Sequence, residues 1–219
     1  MKLIGLALVA GLAADVNVAG SIYLNQPTLF GEETDALGET TRGINAETSL
    51  KMVADVNDHV SVNTKVCFGC HGFMAGMAYV DWNVSDAFGI RAGRFPVPFG
   101  EFYLRHDPAN HRSATKPLPY AMGRMLRDSA YNLGVVPQPY PDNGVEIHGV
   151  SQGEMLELGY HLYAVQGLKG NAATGDLDYT QSRSTEYFAD NNRTPTVGGR
   201  VTLGFNELPT DAWRFLQFG

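Results

Sequence analysis

The chain reads as an all-β protein, an antiparallel up-and-down β-barrel of the transmembrane kind, and three observations lead there. Its 219 residues include 25 glycines and 10 tyrosines but only 18% charged side chains, against roughly 25% in an average soluble domain. Apolar and polar residues alternate with a period of two in run after run, as a strand with unlike faces requires. Most runs are joined by connections too short for a crossover helix, so neighbouring strands must be antiparallel. The length suits one domain or a large piece of one. A net charge of -7 gives no global attraction for nucleic acid.

The N-terminus, "MKLIGLALVAGLAADVNV", has one cation at Lys2, an apolar run from Leu3 to Ala13, and small residues at Gly11 and Ala13. That is the pattern of a secretory signal peptide, here residues 1–13, with the barrel domain over 14–219. The competing reading is an apolar first strand or helix. The first strand expected in the mature chain is "VNVAGSIYLNQ" (16–26). A longer connection containing "GEETDALGETTR" leads to "GINAETSLKMVADV", where Ile44, Ala46, Leu50, Met52, Ala54 and Val56 oppose Asn45, Glu47, Ser49, Lys51 and Asp55. "NDH" turns the chain, and the same phase resumes in Val60, Val62, Thr64, Val66 and Phe68 against Ser61, Asn63, Lys65 and Cys67. "MAYVDWNV" sets Ala78, Val80, Trp82 and Val84 against Tyr79, Asp81 and Asn83, and "SDAFG" turns into "IRAGRF". "GVEIHGV" (144–150), "MLELGYHLYAV" (155–165) after the turn "SQGE", and "TVGGRVTLGF" (196–205) complete the pattern. About nine or ten strands are expected, with no βαβ alternation.

A soluble sandwich would hide the apolar face of these strands, whereas a membrane barrel would turn it to lipid and line its lumen with the polar face. The export signal favours the barrel, as does the alternation of short turns with long connections. Aromatic residues also recur near strand ends, at Tyr23, Phe30, Phe73, Tyr79, Trp82 and Phe88, as an interfacial girdle needs.

Between strands lies a long basic loop, 96–131. Its prolines at 96, 98, 108, 117 and 119 exclude a central strand. The stretch from Arg91 to Arg127 carries Arg91, Arg94, Arg105, Arg112, Lys116, Arg124 and Arg127, opposed only by Glu101 and Asp107. Folded into a lumen, such a loop would narrow it and present guanidinium groups that favour anions. The alternative is that the arginines pair with lumenal carboxylates such as Glu47, Asp55, Asp81 and Glu157, and merely pin the loop.

The two cysteines of the chain stand in "KVCFGCHGF" as Cys67-x-x-Cys70-His71, the attachment pattern of a c-type haem. His71 would be the proximal iron ligand, and Met74, Met77, His106, His111 or His148 the distal one. Straight strand geometry would point Cys67 and Cys70 to opposite faces, so the thiols can converge only if the glycines at 69, 72 and 76 bend the chain. A disulfide and a small metal site are the alternatives. No nucleotide-binding glycine loop, zinc-protease motif or nucleophile elbow occurs, so no enzymatic activity is expected. His148 and His161, with Glu146 and Glu157, fall on the lumen phase of neighbouring strands as paired wall residues.

"RAGRFPVPFGEF" resembles the strand-and-loop motif of the phosphate-selective porin O/P family through Arg91, Gly93, Arg94, Phe95, Pro98, Phe99, Gly100 and Glu101. The resemblance implies an outer-membrane barrel with a polar, basic pore. Barrels of that family are considerably longer, so this chain is expected to be the N-terminal part of a larger barrel, or else a complete small one. The function expected is a porin-like channel of the Gram-negative outer membrane for small, preferentially anionic solutes. Its partners would be membrane lipid and those solutes, with a homo-oligomer and a c-type cytochrome as further partners. With haem attached, the barrel would contribute to transmembrane electron transfer. The competing classes are a soluble periplasmic β-rich haem carrier and a structural barrel that sheathes a separate cytochrome.

Overall fold

A computed structural model describes residues 15–25, 45–69, 72–100, 141–171, 173–176, 191, 193–205 and 217–218. The expected signal peptide and residues 101–131 of the basic loop lie outside them. Nine strands follow one another: β1 (Asp15–Asn25), β2 (Asn45–Asn57), β3 (Val60–Gly69), β4 (Gly72–Ser85), β5 (Phe88–Pro96), β6 (Pro141–Gln152), β7 (Leu156–Val165), β8 (Thr196–Phe205) and β9 (Gln217–Phe218). They form one sheet in chain order, and every neighbouring pair is antiparallel. The all-β, up-and-down meander expected from the alternation is therefore present. Among the described residues, no ladder joins β1 to β9.

The connections sort by end. Residues 58–59, 86–87 and 153–155 link strands at one end of the sheet, together with the longer 206–216. The other end carries 26–44, 97–140 and 166–195, with only the two residues 70–71 between β3 and β4. Local chemistry makes the short turns. At the first, the Asn57 side-chain oxygen accepts hydrogen bonds from the amides of His59 and Val60, both at 2.9 Å, an Asx-type reversal.

Eight of the strands run 9–14 residues, and their two faces are inverted relative to a soluble protein. The outward positions are apolar: Val18 and Ile22 on β1, Leu50 and Met52 on β2, Trp82 on β4, Ile147 on β6, Leu162 on β7, and Val197 and Val201 on β8. The covered positions include Ser49, Asn63, Lys65, Asp81 and Glu146. One β-bulge adjusts this phase. Lys65 faces Met77 and Val66 faces Ala75, which leaves Gly76 unopposed. Phe73 before the bulge and Ala78 after it are consequently both outward, although one position is odd and the other even. Of the expected aromatic girdle, Phe73, Trp82 and Phe88 are exposed, whereas Tyr79 turns inward; the Tyr23 side chain and Phe30 lie outside the described residues.

The inner face has its own small apolar cluster of Phe95, Val97 and Val165, with Tyr79, Tyr163 and Leu168 against it. Val97 is the first residue after β5, so the chain leaves that strand toward the inner side. The Gly93–Gly144 pair makes this packing possible. A Cβ on Gly144 would stand 2.2 Å from the Ala164 carbonyl oxygen. Gly93 has φ +129°, and a Cβ there would stand 2.4 Å from the carbonyl oxygen of Ala78; only glycine adopts that backbone without strain. Strand β6 begins three residues earlier than its alternation predicts. Pro141 faces Pro96 across the ladder, at strand ends where a missing amide donor is tolerated.

Candidate functional site

The covered face of β4–β7 carries a closed network of charged side chains, and the register explains why it forms. Asp81, Arg91, Glu146 and Tyr163 stand on one rung across β4, β5, β6 and β7. His148 and His161 face each other on the next rung toward the short-turn end. Arg91 donates to Asp81 Oδ2 through Nη2 at 2.7 Å and Nε at 3.2 Å, and to Glu146 Oε2 through Nη1 at 3.2 Å. Its guanidinium lies 4.7 Å from the centre of the Tyr79 ring, a cation–π contact.

Each carboxylate uses its second oxygen on a histidine. His148 Nε2 donates to Asp81 Oδ1 at 2.8 Å, and His161 Nδ1 donates to Glu146 Oε1 at 2.5 Å; an ionised carboxylate can only accept. The two imidazoles stack with centroids 6.3 Å apart and 24° between planes. The ring therefore closes: Arg91, Asp81, His148, His161, Glu146, and back to Arg91. Glu146 is 1% exposed. A carboxylate that deep requires a matched cation and filled hydrogen-bonding positions, and Arg91 with His161 supplies both.

A second polar anchor sits toward the other end. Asp142 is fully buried, and its carboxylate accepts from the amides of Gly167 and Asn143, both at 2.7 Å. Asn143 and Gln166 add a side-chain bond of 2.9 Å. These bonds tie the start of β6 to the chain leaving β7.

The structure thus unites Asp81, Arg91, Glu146, His148 and His161. Pairing of Asp81 with an arginine was the alternative reading of the basic stretch, and the two histidines with Glu146 were expected on one face. That Glu146 is also an Arg91 partner had no sequence signal, because the long 97–140 connection leaves the β5–β6 register open. Glu157, expected in the same group, instead accepts from the Gln152 amide at 3.4 Å. Asp55 is exposed, and the Glu47 side chain is outside the described residues.

Arg94 is 5% exposed, and its Nε donates to the Ala75 carbonyl at 2.9 Å. Arg105, Arg112, Lys116, Arg124 and Arg127 lie outside the described residues. Of the cysteine motif, Cys67 is described: it is buried on the inner face of β3, opposite Ser49 and Met74. Cys70 and His71 fall between the paired residues Gly69 and Gly72 and outside the described set. A haem tethered at Cys67 would have to displace whatever covers that thiol. Among the described residues, no group of three or more His, Cys, Asp or Glu side chains is arranged to hold a metal ion.

No family model, no curated protein and no solved structure matches this chain.

Proposed function

We propose that the chain forms the wall of an outer-membrane β-barrel that passes small solutes, with the 97–140 insertion folded into and narrowing its lumen. The observation that carries this reading is the inverted sheet. Leaving a Val, Leu or Ile exposed instead of buried forfeits about 1.5–3 kcal/mol. More than twenty large apolar side chains are exposed among the described residues. In water that loss would exceed the 5–15 kcal/mol that stabilises a typical domain; against lipid it disappears. The strand lengths match the roughly 9–11 tilted residues that cross a bilayer. Mostly short turns at one end and mostly long connections at the other are the asymmetry of outer-membrane barrels.

The insertion enters this reading through Val97, whose packing on Phe95 and Val165 starts the segment toward the inside. Arg91 is committed to two carboxylates and pins the wall. Anion preference would then be the task of Arg105, Arg112, Lys116, Arg124 and Arg127 in the insertion, with Arg94 at its base. The covered Cys67 gives no support to a haem, so electron transfer is left out of the function proposed. Planar-bilayer recordings test the channel. Discrete conductance with anion preference is expected, and Arg105→Ala combined with Arg112→Ala should weaken the preference. Selectivity unchanged in that variant would remove the insertion's role; recovery of the protein from the soluble periplasm would remove the barrel.

A further inference from the structure

We infer that, in the pore proposed above and resting on it, His148 and His161 make the charge selectivity of the lumen depend on pH. The network contains one guanidinium and two carboxylates, a net charge of -1 while both imidazoles are neutral. Each histidine already gives one ring N–H to a carboxylate, so the remaining nitrogens, Nδ1 of His148 and Nε2 of His161, are the ones that take up protons. Histidine is the side chain whose ordinary range of charge change falls between about pH 5 and 8. One added proton brings the network to neutrality, and a second inverts its sign.

The surroundings concentrate this effect on the lumen. Facing the histidines are Tyr79 and Asp81 from β4, Arg91 from β5, and Glu146 from β6. On β7 the same face carries Glu157 and Tyr163, and β8 places Arg200 opposite His161. The stacked rings, with centroids 6.3 Å apart, place both sites of added charge at one level of the wall. At 0.1 M salt the Debye length is about 10 Å, long enough for this charge to act across a narrowed lumen. At 1 M salt it falls to about 3 Å, and the effect should shrink.

The experiment is the reversal potential of bilayer-inserted protein under a potassium chloride gradient, read from pH 8 to pH 5. In the wild type, the chloride-to-potassium permeability ratio should rise several-fold on acidification at low salt, and by less at high salt. The double variant His148→Gln, His161→Gln keeps an amide donor for each carboxylate but cannot charge, and its ratio should stay flat. Each single variant should retain part of the change. A wild-type ratio that does not move with pH overturns the inference without any variant, and so does a double variant that keeps the full change. In both cases conductance is present, so the pore itself stands. No conductance at any pH would overturn the pore and the inference together.

Discussion

At the scale of the residue, Arg91 does two jobs that sequence spacing could not separate. It was visible as one cation in a basic stretch, beside an Arg94 three positions on. What decides its role is the pair of carboxylates on the strands to either side, Asp81 and Glu146, with Glu146 almost wholly covered. Removing the partner of a buried ion costs about 3–5 kcal/mol, because the remaining charge is stranded. Arg91→Ala is therefore expected to lower folding stability by about that amount. Arg91→Lys should recover only part of the loss, since one ammonium cannot reproduce three directed bonds to two carboxylates. Urea unfolding of the protein in lipid vesicles measures both. If Arg91 were an exposed pore charge rather than a pin, the alanine variant would keep its stability and change only selectivity.

At the scale of the element, the strands were legible and their mutual alignment was only partly so. Period-two alternation located β2, β3, β7 and β8 to within about two residues, because each carries apolar side chains on one face and polar ones on the other. Short turns fixed the register of β2 on β3 and of β6 on β7, which is why His148 and His161 were visible as neighbours. The β5–β6 alignment was not legible, since 97–140 intervenes and loop length carries no register information. Strand β5 shows a second limit: Arg94 and Phe95 are adjacent and both buried, which alternation forbids in a regular strand. Gly93 is where regularity breaks, with φ +129° and the Ala78 carbonyl pressed against its hydrogen. Gly93→Ala places a Cβ into that oxygen in a backbone region costing about 1–3 kcal/mol for a side-chain-bearing residue. The expected outcome is a destabilised sheet with a lower refolding yield. Gly175→Ala is the useful control: it also has positive φ but nothing within 4 Å, so it reports backbone strain without the collision.

At the scale of the whole molecule, the sequence could show that each strand has unlike faces but not which solvent each face meets. Alternation is the same in a soluble sandwich and in a membrane barrel, because both divide apolar from polar by side. In three dimensions polar Asp81, Glu146 and Asp142 are enclosed while Ile22, Leu162 and Val201 face out, which supports the membrane barrel proposed above. One substitution tests what lies against that outer face. Val201 stands near the middle of β8, outward and 57% exposed. On a water-exposed surface, Val201→Arg would change stability by less than about 0.5 kcal/mol. At the midplane of a bilayer, the same change on the lipid face of a barrel costs about 2–4 kcal/mol. Unfolding from vesicles should show the larger loss. Val197→Arg, on the same outward face at the long-connection end of the strand, should cost about 0–1 kcal/mol, since the penalty fades toward the interface. The depth dependence is the discriminating part. A soluble protein covered by another protein could also resent Val201→Arg, but it would show no graded fall from mid-strand to strand end.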